Sequence, residues 1–75
     1  MKTYRNLDGD SGVSAYEYGV DWIHVQFTTG AIYEYTYESA GSTNIESMKH
    51  LADSGRGLNA FINTTVKKLY SRRIC

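Results

Sequence analysis

The stretch Trp22 to Tyr37, WIHVQFTTGAIYEYTY, constrains this chain most. On either side of Thr28-Thr29-Gly30 the residues alternate in polarity with a period of two, which is the pattern of two strands joined by a tight turn. It holds the only Trp, one of two Phe and three of seven Tyr. In its first arm Ile23, Val25 and Phe27 point one way, and Trp22, His24 and Gln26 the other. Hydrophobicity makes the first set the core face.

The turn decides where the second arm puts its side chains. A two-residue loop, Thr29-Gly30, would pair Thr28 with Ala31. It would place Tyr33, Tyr35 and Tyr37 on the outer face beside Gln26, His24 and Trp22, and bury Glu34 against Val25. A three-residue loop, Thr28-Thr29-Gly30, pairs Phe27 with Ala31 and gives Gly30 the left-handed position that follows a type I turn. Val25 then faces Tyr33, Ile23 faces Tyr35, and Glu34 and Glu38 go outside. A slip of one residue flips every side chain. Burying an unpartnered carboxylate is costly, so the three-residue loop is expected, with Tyr33 and Tyr35 mainly in the core.

Before this hairpin, Val13 to Gly19 reads as a strand with Tyr16 and Tyr18 on one side and Val13, Ala15 and Glu17 on the other. Residues 1–12 read as a flexible polar lead-in. Asp8-Gly9-Asp10-Ser11-Gly12 within it lacks the third ligand and twelfth-position Glu of a calcium loop. After the hairpin, Ser39 to Ser42 reads as a linker. Thr43 and Glu46 have capping-box spacing, and Ile45, Met48, Leu51 and Ala52 form a helical stripe. A second helix is expected from Leu58 to about Tyr70, burying Leu58, Phe61, Ile62, Thr65, Val66 and Leu69. A domain of 75 residues buries only roughly 60% of the surface its unfolded chain exposes, so each of these positions matters to stability. The expected architecture is α+β: a three-stranded antiparallel β-meander followed by two α-helices packed on one sheet face, as a single domain over residues 13–75.

Chemistry is less clearly marked. Gly55-Arg56-Gly57 before a helix has two readings: a phosphate cradle of free amides, or a glycine cap followed by a tight turn. Without Gly-Lys-Ser/Thr or a preceding Rossmann strand, the second is favoured. Glu34 and Glu38 are separated by about 13 Å of strand rise, more than the roughly 5–10 Å of catalytic carboxylate pairs. No triad or metal-ligand cluster assembles from the pattern. His24 reads as a surface residue. No catalytic activity, metal or cofactor is expected. The single Cys, Cys75, fits a reducing compartment. No apolar run of about 18 residues offers a membrane span, and the N-terminus lacks a signal-peptide core. The chain is expected in the cytoplasm, off the membrane.

Charge is neutral in sum but uneven in place. All eight acids and three bases lie in residues 1–53, and residues 54–75 hold five bases and no acid. Such asymmetry marks either a solvated helix end matched to the helix dipole or a surface for an acidic partner such as RNA. In the second case Arg56, Lys67, Lys68, Arg72 and Arg73 would contact phosphates and Trp22 would stack on bases.

Taken together, Ile23-x-Val25-x-Phe27, Thr29-Gly30, Tyr33-Glu34-Tyr35, Gly55 and Leu58-Asn59-x-x-Ile62 resemble the KTSC domain. This is a small module found alone in bacterial proteins and at the C-terminus of some lysyl-tRNA synthetases. The resemblance spans about residues 11–74. Tyr33 and Tyr35 match its Tyr-x-Tyr signature, and Gly55 and Asn59 match further motif positions that read as structural. Glu38-Ser39 stands where the family often has Val-Pro. What the resemblance implies is a binding module whose company with a synthetase suggests RNA. A protein partner or homodimer, through an open sheet face or edge strand, is the alternative. Bases gathered on one face would favour nucleic acid, and an exposed apolar patch would favour protein.

Overall fold

The structure, a computed structural model, describes every residue except Asp8 and Asp10, so the calcium-loop reading, which turns on those two carboxylates, lies outside the described residues. Among the described residues five antiparallel strands form one sheet in chain order: β1 (Lys2–Thr3), β2 (Val13–Tyr18), β3 (Trp22–Phe27), β4 (Ile32–Thr36) and β5 (Arg72–Arg73). Between β4 and β5 come three helices: α1 (Tyr37–Ala40), α2 (Ser42–Ser54) and α3 (Leu58–Phe61), the last running into a π-helical turn, Ile62–Val66. The fold is α+β. The expected three-stranded meander forms its centre, and a two-residue strand flanks it on each side.

The central hairpin closes with three residues. The Phe27 amide donates to the Ala31 carbonyl at 2.8 Å and the Gly30 amide to the Phe27 carbonyl at 2.9 Å. Gly30 takes φ +95°, open to a residue without Cβ. Val25 lies opposite Tyr33 and Ile23 opposite Tyr35, so this row faces the core and Tyr35 is buried. Glu34 is carried to the outer face, where it finds partners.

β2 departs from simple alternation. Its register shifts between Val13 and Ala15, and this bulge lets Val13 and Tyr16 both enter the core. Tyr16 pairs with Val25 and Tyr18 with Ile23. Both tyrosines therefore stand on the helix side of the sheet, and Val13 joins them there instead of facing away as the uninterrupted alternation suggested.

The N-terminal stretch read as a lead-in is part of the fold. Lys2 and Thr3 pair with Tyr16 and Ala15, and Tyr4 is buried in the core cluster. The Tyr4 hydroxyl accepts the Leu58 amide at 3.3 Å, and the Leu7 amide donates to the Gly55 carbonyl at 2.8 Å. A single aromatic in a polar stretch has no periodicity, which is why the pattern gave no sign of a strand.

Helix starts also differ from expectation. The capping box is formed by Thr36 and Ser39: the Ser39 amide donates to Thr36 Oγ1 at 3.1 Å and the Thr36 amide to Ser39 Oγ at 3.0 Å. It starts α1 inside the expected linker. α2 begins after Gly41 with no side-chain cap, and Glu46 instead accepts from the Tyr37 hydroxyl at 2.6 Å and Lys49 Nζ at 2.8 Å. Ile45, Met48 and Ala52 of α2 face Ile23, Val25 and Tyr35 in one buried cluster. Asp53, exposed at the far end of α2, accepts from both the Tyr16 and Tyr18 hydroxyls at 2.7 and 2.6 Å. Those two bonds, Tyr18's first, hold its carboxyl below the usual range, while burial and then the Asp53 bond push Tyr16 up to about 12.

The second helix is shorter than the expected span to Tyr70. Leu58, Ile62 and Val66 are buried, whereas Thr65 and Leu69 are exposed. A strict spacing of four drifts sideways on a 3.6-residue helix. The wider π turn compensates, keeping Leu58, Ile62 and Val66 on the core and turning Thr65 away. After Val66 the chain reverses, and β5 returns to pair Arg73 with Tyr33 and Arg72 with Glu34.

Candidate nucleic-acid interface

Consecutive strand residues point to opposite faces, so Arg72 and Arg73 part company. Arg72 joins a row across the uncovered face, Glu17–His24–Glu34–Arg72, one residue from each of four strands. His24 Nε2 lies 2.9 Å from Glu34 Oε2, His24 Nδ1 3.7 Å from Glu17 Oε2, and Arg72 Nε donates to Glu34 Oε1 at 3.1 Å. The Met1 amino group sits 3.5 Å from Glu17 Oε1. The hydrogen bonds from His24 and then Arg72 hold the Glu34 carboxyl below the usual range. Arg72 is therefore already matched by Glu34. The two carboxylates lie against opposite nitrogens of one imidazole and do not converge on a single point. Among the described residues no group of three His, Cys, Asp or Glu is placed to hold a metal ion.

Trp22 lies on this same face, its ring centroid 4.3 Å from that of His24. A Cβ on Gly19 would overlap the indole, so the ring lies against the β2–β3 turn and is half-buried.

Arg73 occupies the other face. Its guanidinium lies 5.9 Å from the Tyr33 ring centroid, and its Nε donates to the Cys75 carbonyl at 2.8 Å. Tyr33 in turn lies 4.8 Å from Tyr70, which meets Tyr35 edge-on at 6.5 Å. Tyr70 is 42% exposed. Lys67 and Lys68 precede it on the turn after Val66, exposed and without a hydrogen bond or ion pair among the described residues. Burial and the neighbouring tyrosines push Tyr35 up to about 12, so the ring beneath Tyr70 stays neutral at physiological pH.

The five basic residues thus do not share one face. Lys67, Lys68 and Arg73 belong to the segment around Tyr70, Arg72 and Trp22 lie on the outer sheet face, and Arg56 is exposed in the α2–α3 turn. Sequence reasoning left Tyr70 out of the site. The available signal was its place between two basic pairs, Lys67-Lys68 and Arg72-Arg73.

Gly55-Arg56-Gly57 is a turn whose amides are largely taken. The Gly55 amide donates to the Leu51 and Ala52 carbonyls, and the first amide of α3 is bound by Tyr4. Gly55 takes φ +76°, and a Cβ there would stand 2.9 Å from Arg5 Cβ. Asn59 Oδ1 packs where a Cβ on Gly12 would be 3.3 Å away. Gly55 and Tyr35 are buried, and Asn59 lies against Gly12.

The helix side also carries an open groove of about 960 Å³, with Tyr37, Leu51 and Phe61 as its apolar lining and Ser42, Thr43, Glu46, Ser47 and His50 around them. No helix among the described residues is long and apolar enough to cross a membrane. In comparisons with known proteins, no family model matches the chain, and no curated protein or solved structure matches it significantly. The resemblance to the KTSC domain rests on the quoted residues.

Proposed function

We propose that this chain is a small, non-catalytic, cytoplasmic binding module that takes single-stranded RNA along its C-terminal segment, Lys67 to Arg73. The observation that carries the reading is the pairing of two unengaged lysines with a half-exposed tyrosine, in a stretch from residue 54 to 75 without an acid. Lys67, Lys68 and Arg73 contact phosphates. Arg72 contributes less, because Glu34 already neutralises it. The KTSC resemblance supports RNA as the acidic partner. Reversing both lysine charges (Lys67→Glu with Lys68→Glu) is expected to weaken binding of a labelled single-stranded RNA at low salt by roughly ten-fold or more, since phosphate neutralisation dominates such affinities. Fluorescence anisotropy measures it, and unchanged affinity contradicts the assignment.

A second reading, capture of a protein or of another copy, is favoured by the groove lined by Tyr37, Leu51 and Phe61 and by exposed Leu69 and Ile74. Sedimentation across a wide concentration range tests the self-association form. A monomer throughout removes it.

A further inference from the structure

We infer that Tyr70, not Trp22, is the surface on which this module stacks an unpaired base. The inference rests on the RNA reading above and names how that ligand is held. Tyr18 is 39% exposed but gives its hydroxyl to the Asp53 carboxylate, which leaves Trp22 and Tyr70, and their surroundings separate those two. Trp22 rests against the Gly19 backbone and the His24 ring, half-buried beside two carboxylates, Glu17 and Glu34, which flank His24 at 3.7 and 2.9 Å. The cations on this face, Arg72 and the Met1 amino group, are already matched by Glu34 and Glu17, so a phosphate arriving there displaces an existing pair. Tyr70 is set differently. Its ring is supported by Tyr33 at 4.8 Å and Tyr35 at 6.5 Å and is 42% exposed. It is therefore held in place before a ligand arrives and keeps exposed surface for one. The two supporting rings are fixed by β4, and Tyr33 is itself capped by the Arg73 guanidinium at 5.9 Å.

The charges around Tyr70 suit a strand passing over it. Lys67 and Lys68 precede it and Arg73 follows, so a base seated on the ring has cations available to the phosphates on its two sides. Neither lysine pairs with a carboxylate among the described residues, and Arg73 is held by the Cys75 main-chain oxygen through its Nε alone. The ligand class follows. A base must be unpaired to lie flat on a single ring, so the partner is single-stranded. Every base offers a π face, so the preference for sequence is weak. Tyr70 carries a hydroxyl but needs only its ring for this role.

The test is a set of titrations with one labelled single-stranded RNA and its duplex. Tyr70→Phe is expected to bind as the natural chain does. Tyr70→Leu keeps an apolar cover over Tyr33 and Tyr35 but has no ring, and is expected to bind roughly 10- to 100-fold more weakly with the salt dependence unchanged. Trp22→Leu is expected to leave affinity within about three-fold. The duplex is expected to bind at least about ten-fold more weakly than the single strand. If Tyr70→Leu loosens the fold, the Tyr70 ring protons of the natural chain decide. They shift upfield on adding RNA if a base stacks there, and unmoved resonances overturn the inference. Salt-dependent binding that survives Tyr70→Leu but falls in Trp22→Leu overturns it as well and leaves the RNA reading standing. No binding by the natural chain at low salt removes both.

Discussion

Gly55→Ala separates two physical costs that the structure places at one position. Gly55 ends α2 at φ +76°, and holding a residue with a Cβ in that region costs about 1–2 kcal/mol. The new methyl would also stand 2.9 Å from Arg5 Cβ and 3.3 Å from Leu7 Cγ. Something must move, and overpacking of this kind costs about 1–3 kcal/mol. The sum is roughly 2–5 kcal/mol, against a total of about 4–11 kcal/mol for a domain of this size. Urea unfolding followed by the fluorescence of Trp22, the sole tryptophan, reads the loss. Repeating Gly55→Ala in an Arg5→Gly background removes the nearest clashing atom, so the cost there is expected to fall toward the backbone share alone. A loss below about 0.5 kcal/mol, the range of ordinary surface changes, would refute the cap and the contact together. Equal losses in both backgrounds would refute the docking of the N-terminal segment on the α2–α3 turn.

Other consequences follow from the caps and the carboxylates. Thr36→Ala is expected to cost about 1 kcal/mol because Thr36 accepts the Ser39 amide, whereas Thr43→Ala, which caps nothing, stays within about 0.5 kcal/mol; chemical denaturation of both variants checks the contrast. Glu34, Glu46 and Asp53 have carboxyl pKa values lowered by their hydrogen bonds, so their contribution is full above the unfolded value of about 4 and is lost as pH falls through the lower folded values. Tyr16 and Tyr35, raised to about 12, act in the opposite sense: stability is lost as pH rises above about 10, where the unfolded tyrosines ionise. A urea midpoint that is level near neutrality and falls at both extremes fits this account, and one that rises toward pH 3 does not.

How much of this was legible in the chain depended on whether a residue's fate was settled locally. The hairpin register was, because burying Glu34 was costly enough to choose between two loops. The stripe of Ile45, Met48 and Ala52 was, because helical spacing announces itself. The β2 bulge was not. Alternation continues through Val13 to Tyr18 in the sequence, and only packing against β3 shows that Val13 and Tyr16 both turn inward. Thr43 and Glu46 had capping spacing, but Thr36 and Ser39 took that role one helix earlier, and Glu46 was drawn to Tyr37 and Lys49. The two edge strands were invisible for a related reason: two residues carry no period, and each pairs only because the rest of the sheet is there. That also decided the site. As a helix, the basic end would have shown its cations together. As β5, it sends Arg72 to Glu34 and Arg73 to Tyr33, and brings Tyr70 over the β4 tyrosines, a long-range contact that no local pattern records.

The central claim, phosphate contact by Lys67, Lys68 and Arg73, is tested most directly by the salt dependence of RNA binding. Each phosphate neutralised on a single strand contributes about −0.7 to the slope of log affinity against log salt. Three contacts give a slope of about −2, whereas all five basic residues of the acid-free segment would give about −3.5. Titration of the natural chain with a labelled single-stranded RNA at several salt concentrations reads this number. A slope near −2 is the expected result; a slope near zero, or no binding at the lowest salt, contradicts the claim.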